Sequence, residues 1–317
     1  MNAPTGRPYV SVVIPLYNET RAIGELCDRL HAVLGEAAAG YDVILIDDGS
    51  RDDTWVRIQA EHTRDPRVKG VRLSRNFGHQ VALSAGLDHA KGDVVVMMDG
   101  DLQDPPELIP ELLEQWRQGW EVVYATKRSR KEAALKRAAF RAFHATMHRV
   151  ADIDVPEGAG NFSLMSARVV AALRDMPERA RYLSGLRAWV GFGQKGVAFD
   201  RDARYDDAPR MRLSRLVKLA LDAIFGFSRL PLRIAFYVGV ATSLISLAVA
   251  AWVLYQRFFT DNAIAGWASI LVSINFVGGA ILITQAVIGE YIGRIYDEVK
   301  QRPLYLVRET AGLDERR

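Results

Sequence analysis

The sequence predicts an α/β protein with a mostly parallel sheet, followed by an amphipathic segment and two membrane-spanning helices. Three observations lead there. Between residues 9 and 126, short runs rich in Val and Ile alternate with stretches of helical spacing. Polar, mostly acidic clusters stand where four of those runs end. In the last third, Ile234 to Tyr255 and Trp267 to Gly289 contain no charged residue. Strand–helix alternation argues for a parallel sheet covered on both faces. In such sheets ligands bind beyond the carboxyl ends of the strands. The coincidence of four polar strand ends therefore weighs more than any one motif.

Taken in order, Tyr9 to Pro15 reads as a buried strand, ending in Leu16-Tyr17-Asn18-Glu19, with a helix from about Thr20 to Ala38. Asp42 to Asp47 is a second strand, ending in Asp47-Asp48-Gly49-Ser50. Asp52 or Asp53 can cap the helix that follows, to about Thr63. Val68 to Leu73 is a third strand, with the loop Ser74 to His79 and a helix from Gln80 to Ala90. Gly92 to Met98 is a fourth, Pro105 to Gln118 a helix, and Trp120 to Thr126 a fifth strand. Beyond it lie a short apolar piece at Asn161 to Met165, a helix from Ala167 to Arg174, and a helical stretch from Tyr182 to Phe192. Lys195 to Tyr205 reads as a strand or an extended connector.

The segment after Pro209 changes character. Leu213, Leu216, Val217, Ala220, Leu221 and Ile224 form an apolar stripe, with Arg212, Arg215, Lys218 and Asp222 opposite. That pattern fits a helix lying on anionic lipid. Each uncharged stretch beyond it can cross about 30 Å of hydrocarbon at about 1.5 Å per residue. Asn275 and Gln285 are the polar exceptions and are expected to face the partner helix. Arg229 and Arg233 precede the first span; Arg294, Lys300, Arg302 and Arg308 follow the second. That bias places both termini in the cytoplasm, in a multi-pass inner-membrane protein. The expected organisation is a catalytic domain over 1–208, juxtamembrane helices over 209–231, spans over 232–290 and a cytoplasmic tail over 291–317.

Composition narrows the classes. A net charge of +3 over 317 residues does not argue for nucleic acid. The single cysteine, Cys27, excludes an internal disulfide and favours a reducing compartment. The run Val10 to Leu16 is short and broken by Pro15, unlike a signal-peptide core. No Gly-x-Gly-x-x-Gly follows the first strand and no Gly-Lys-Ser/Thr phosphate loop occurs, so dinucleotide hydride transfer and P-loop phosphoryl transfer are disfavoured.

The fourth strand runs directly into Asp99-Gly100-Asp101-Leu102-Gln103-Asp104-Pro105-Pro106. If the chain stays extended past Met98, Asp99, Asp101 and Gln103 project to one side as oxygen ligands. Hard cations such as Mg²⁺ take few protein oxygens plus substrate phosphates. The alternative is a solvated acidic turn, with Asp104 capping the next helix. His79 reads as a solvated residue at a helix start rather than a base, and Trp189 as packing rather than a sugar platform. From Lys127 the chain turns basic, with Arg128, Arg130, Lys131, Lys136, Arg137 and Arg141. Arg137, Arg141, His144 and His148 share a helical face, better read as solvated or phosphate-facing than as a zinc site.

These residues resemble a known family. Ser11 to Glu19, Asp47 to Ser50 and Asp99 to Pro106 are similar to the inverting family 2 glycosyltransferases of GT-A fold. Asn76-Phe77-Gly78-His79-Gln80, Gly293 to Lys300 and Arg302-Pro303-Leu304-Tyr305 narrow the resemblance to polyprenyl-phosphate glycosyltransferases, relatives of dolichol-phosphate mannose synthase with two C-terminal membrane helices. The resemblance implies that Pro15, Tyr17, Asn18 and Glu19 line the nucleoside, with Asp47, Asp48 and Ser50 on the base or ribose. It implies that Asp99, Asp101 and Gln103 hold Mg²⁺ or Mn²⁺ on the donor diphosphate, with Asp99 and Asp101 as the catalytic pair. Lys127, Arg128, Arg130 and Arg137 are placed near the acceptor phosphate. Lys127 stands where many relatives have Arg, and Pro209-Arg210-Met211 where many have Ser-Lys-Tyr. The Gln-x-x-Arg-Trp signature of processive synthases is absent, which argues for a single transfer.

The expected partners are a nucleotide sugar, UDP-hexose favoured over GDP-mannose, a polyprenyl phosphate and the lipid bilayer, with a homo-oligomer compatible with the sequence. A membrane transferase acting on another lipid or glycan, and a silent nucleotide-binding scaffold, are the competing readings.

Overall fold

The computed structural model describes residues 6–127, 159–176, 178, 179, 181–199, 230–259 and 267–313. They form two compact units, one built from the sheet together with 302–317 and the other from the two long apolar helices.

In the first unit the order is β1 (Tyr9–Leu16), α1 (Ile23–Ala37), β2 (Gly40–Asp47), α2 (Thr54–Arg64), β3 (Val68–Leu73), α3 (His79–His89), β4 (Val94–Met97). A short 3₁₀ turn (Pro106–Leu108), α4 (Ile109–Arg117), β5 (Val122–Lys127), β6 (Ala159–Ser166), α5 (Ala167–Arg174), α6 (Leu183–Trp189) and β7 (Gln194–Phe199) follow. The second unit holds α7 (Leu230–Phe259) and α8 (Trp267–Val299), and the chain then returns to the sheet as β8 (Val307–Ala311).

The strands lie in the order β7-β5-β6-β4-β1-β2-β3-β8. β4, β1, β2 and β3 are mutually parallel. β6 runs antiparallel to β4 and to β5, β7 parallel to β5, and β8 antiparallel to β3. The α/β architecture with a parallel core matches the sequence expectation. β1 and β2 are buried along almost their whole length, as strands covered on both faces must be. α1 turns Ile23, Leu26, Cys27, Leu30 and Leu34 onto the sheet at helical spacing. Pro105 and Pro106 end the acidic loop and open the 3₁₀ turn, since a first turn tolerates proline.

β8 lies in the segment that the sequence suggested only as a tail. Its Glu309 accepts from the Trp55 indole at 2.8 Å and from Arg72 at 3.1 Å. Leu306 O accepts from Ser74 N, and the Tyr305 hydroxyl donates to Asp88 at 2.8 Å.

In the second unit, α7 has 30 residues and α8 has 33. Among the described residues one stretch, Phe276–Val299, is long and apolar enough to cross a membrane; Ile234–Val249 is apolar but shorter. The structure thus supports one of the two expected spans by that measure. Gly239, Thr242, Ser243, Thr284 and Gln285 line a groove of about 590 Å³ between α7 and α8. The amphipathic stretch around Leu213 to Ile224 lies outside the described residues.

Candidate active site

Three loops meet at the carboxyl end of the parallel strands, where β1 has β4 on one side and β2 on the other. This is the point where the strand order reverses, the usual ligand crevice of open α/β sheets.

The loops after β1 and β2 are laced together. Asn18 takes a left-handed backbone (φ 56°), and its N–H donates to Ser50 Oγ at 3.0 Å. Its Oδ1 accepts from Arg51 N at 2.9 Å. Glu19 N donates to Thr54 Oγ1 at 3.1 Å. Asp52 accepts from both the N–H and the hydroxyl of Thr54, so it is Asp52, rather than Asp53, that caps this end of α2. Tyr17 and Glu19 stand at the outer rim of this loop pair, with Tyr17 exposed. Pro15 is buried within β1.

The acidic pair at the end of β2 divides its work. Asp47 is fully buried; its Oδ1 accepts from Ser50 N at 2.8 Å and its Oδ2 lies 3.3 Å from Arg72 Nε. Asp48 accepts from Phe77 N at 2.7 Å and Gly78 N at 2.9 Å, tying the β3–α3 loop to the site. Burial pushes the Asp48 carboxyl up, against the pull of those two N–H donors. Gly49 (φ 68°) packs so closely that a Cβ there would meet the Arg75 carbonyl carbon at 2.4 Å.

The acidic loop after β4 is drawn into a tight turn with Leu102 at φ 60°, a correction to the extended run expected past Met98: β4 ends at Met97 and carboxylate–amide bonds fold the loop back. Asp104 Oδ2 accepts from Asp99 N at 3.1 Å, and Asp101 Oδ1 from Gln103 N at 3.2 Å. Asp104 therefore closes this loop and does not cap the following helix, a correction to the sequence reading. Gly100 is required here: a Cβ would lie 2.4 Å from Leu16 Cδ2. The Gln103 side chain is buried, and its Oε1 has no hydrogen-bond partner among the described residues. A buried amide oxygen left unpaired costs roughly 1–3 kcal/mol, so it points to a missing partner. Gln103 shares this loop with the carboxylates of Asp99 and Asp101, oxygen donors of the kind that hard divalent cations take. Two carboxylates and one amide are too few for an all-protein cage, which leaves room for substrate phosphate oxygens.

His79 begins α3 and places Nε2 3.4 Å from Asp99 Oδ1 and 2.8 Å from Asn161 Nδ2. Desolvation lowers its pKa, with Asp48, Asp101 and Asp104 acting in the opposite sense. His79 is a partly solvated residue at a helix start, as expected, and it also contacts Asp99 of the acidic loop. Asn161 was missed, because the two residues are separated by 82 positions and no local pattern joins them. Arg187 contacts the residue before Asn161. Fully buried on α6, it places Nη1 3.4 Å from Gly160 O and its guanidinium 5.4 Å from the Tyr124 ring centre. Burial lowers its pKa to about 10. Trp189, expected to pack, is exposed at the end of α6. Lys127 ends β5, and Arg128, Arg130, Arg137, Arg141, His144 and His148 lie outside the described residues.

Residues 11–174, which include all three loops, match the family described as glycosyl transferase family 2. The chain belongs to glycosyl transferase family 2. This family 2 glycosyltransferase is 44% identical over 306 residues to an uncharacterized glycosyltransferase of Synechocystis, covering 96% of each chain. It is 38% identical over 302 residues to the SfII prophage-derived bactoprenol glucosyl transferase of Shigella flexneri, covering 95% of this chain and 98% of that protein. Among solved structures it has a more distant likeness to glucosyl-3-phosphoglycerate synthase from Mycobacterium tuberculosis, crystallised with Mn²⁺, UDP and phosphoglyceric acid. The TM-score there is 0.49 at 21% identity, over 70% of this chain and 78% of that one.

Proposed function

We propose that this glycosyltransferase moves one sugar from a nucleoside-diphosphate sugar, UDP-hexose first, to a polyprenyl phosphate at the cytoplasmic face of a membrane. The observation that carries this reading is the buried, unpartnered Gln103 Oε1 in the loop that also carries Asp99 and Asp101. Asp99, Asp101 and Gln103 would hold Mg²⁺ or Mn²⁺, which as a Lewis acid offsets charge on the departing diphosphate. Pro15, Tyr17, Asn18, Glu19, Asp47, Asp48 and Ser50 line the nucleoside side, where the laced loops present a rigid floor. The bactoprenol acceptor named for relatives that align along nearly the whole chain supports the lipid class.

A phosphomonoester has a second pKa near about 6, so the acceptor is mostly a dianion at neutral pH. Its oxygen needs no strong base. It attacks the anomeric carbon in line, the bond from that carbon to the diphosphate oxygen breaks, and the configuration inverts. What the acceptor needs is positive charge to hold it against the donor's own phosphates. Lys127, Arg128, Arg130 and Arg137 fill that role in this reading.

The lipid tail explains the apolar helices. β7 precedes α7 and β8 follows α8, yet both strands belong to one sheet. A chain that leaves a cytoplasmic sheet and returns to it crosses the bilayer an even number of times. That supports a two-span hairpin with both termini cytoplasmic.

The test is a panel of UDP- and GDP-sugars with Mg²⁺ or Mn²⁺ and undecaprenyl phosphate, the lipid product being identified by mass. A glycosyl phosphoryl-lipid is expected, and none with Asp101→Ala protein that inserts normally. A product on diacylglycerol instead would sink the acceptor assignment. No loss of any nucleotide sugar would point to a binding scaffold.

A further inference from the structure

A chain of polar contacts runs from α6 to the acidic loop. Leu183 N donates to Gln80 Oε1 at 3.0 Å. Gln80 Nε2 donates to Asn161 Oδ1 at 3.4 Å. Asn161 Nδ2 lies 2.8 Å from His79 Nε2, which lies 3.4 Å from Asp99 Oδ1.

The direction of this chain is determined at its far end. A backbone N–H can only donate, whereas an amide side chain can present either its oxygen or its NH₂. Leu183 N therefore holds the Gln80 oxygen, which leaves the Gln80 NH₂ for Asn161. Asn161 must answer with its oxygen, which turns its own NH₂ toward His79. A ring nitrogen that receives an NH₂ donor must carry a lone pair. The imidazole proton then belongs on Nδ1, because the partner of one ring nitrogen decides the state of the other.

We propose that Gln80 and Asn161 are positioning residues that, anchored by the Leu183 N–H, hold His79 as its neutral, Nδ1-protonated tautomer beside Asp99. Nε2 then has no hydrogen to give the Asp99 carboxylate. The relay withholds a donor that would compete with a cation for Asp99 Oδ1. This last consequence rests on the cation-binding role proposed above for Asp99; the tautomer itself does not.

The experiment uses full-length protein in detergent, free of metal and labelled with ¹⁵N-histidine. There are six histidines, and the His79 resonances are those lost in His79→Gln. The wild type should show a protonated Nδ1 and an unprotonated Nε2. Gln80→Glu leaves His79 and Asn161 untouched. The introduced carboxylate still accepts from Leu183 N but has no NH₂, so Asn161 turns over, offers its oxygen to His79, and the proton moves to Nε2. An inverted nitrogen pattern is the expected result, and an unchanged pattern overturns the relay. Asn161→Asp should invert it too, and it decides the matter if Gln80→Glu does not fold.

The Mn²⁺ concentration for half-maximal sugar transfer should rise about tenfold in Gln80→Glu, the scale of losses when a ligand's supporting partner is removed. An unchanged Mn²⁺ requirement with an inverted tautomer would overturn the consequence for Asp99. Absence of sugar transfer in the wild type would overturn the proposed function and leave the nitrogen pattern to judge the relay.

Discussion

Trp55 and Glu309, 254 residues apart, are joined by a 2.8 Å hydrogen bond from the indole Nε1 to the carboxylate. The same carboxylate takes Arg72 at 3.1 Å, and Arg72 Nε lies 3.3 Å from the buried Asp47. The last strand of the chain is thus wired to the loop after β2. Glu309→Ala leaves the Trp55 indole N–H without its acceptor and releases Arg72. The expected cost is about 1–3 kcal/mol in unfolding free energy. On the proposed role of Asp47 at the nucleoside, the KM for the nucleotide sugar should rise, because Arg72 also supports Asp47. Unfolding midpoints together with initial-rate kinetics check both parts.

Gly100→Ala should damage catalysis more than stability. The new methyl would lie 2.4 Å from Leu16 Cδ2, where the acidic loop packs against the end of β1. The loop must shift, and displacements of about 1 Å in a site can cost about 100-fold in rate. Leu16→Ala added to Gly100→Ala should recover part of the lost kcat at a further cost in stability. A double variant no faster than Gly100→Ala alone would contradict this packing account.

Cys27 should be silent toward thiol reagents in the folded protein. It is fully buried in α1, and burial pushes its thiol up to about 12, with Glu61 and Asp28 adding to the effect. At pH 8 a chromogenic disulfide should find no thiol in the native chain and one per chain after denaturation, since Cys27 is the only cysteine. Rapid native labelling would show that α1 does not pack as described.

Asp65 gives the sheet domain an acid-sensitive contact. Hydrogen bonds from Arg67 hold its carboxyl at about 2, below the ordinary 3.8. A lowered carboxylate pKa adds stability above about pH 4, and that stability is lost as pH falls through about 2. Because the Arg67 side chain is about half exposed, the contribution after allowing for solvent screening is about 1 kcal/mol. The stability gap between wild type and Asp65→Asn should be present at pH 5 and close toward pH 2 in denaturant titrations.

The parallel core was legible because β1, β2 and β4 are buried at nearly every residue and read as Val- and Ile-rich runs, while β3 keeps Val68, Val71 and Leu73 inside with Lys69 and Arg72 between them. Ala167–Arg174 was legible for its length and boundaries, with Ser166 at its start accepting from Val169 N. β8 was not. It carries Arg308, Glu309 and Thr310 on an edge, where no apolar run is needed, and it pairs with a strand more than two hundred residues earlier. In the site, the polar strand ends located the crevice. The division of labour within it did not show, because Asp48 and Asp104 spend their carboxylates on backbone N–H groups of other residues. A sequence displays a carboxylate but not which amide has already claimed it.

The antiparallel pairing of β8 with β3 makes the apolar helices an insertion within a domain, with part of the sheet encoded on either side of them. The enzyme's fold is therefore completed only after both helices have left the ribosome. On the proposed two-span reading, a chain whose helices crossed the bilayer an odd number of times would strand β8 on the far side and leave the β3 edge bare. Bare edges invite aggregation and attract degradation. If the two helices insert in a bilayer as proposed above, completion of the sheet depends on that insertion, because β3 gains its antiparallel neighbour only from the chain beyond α8.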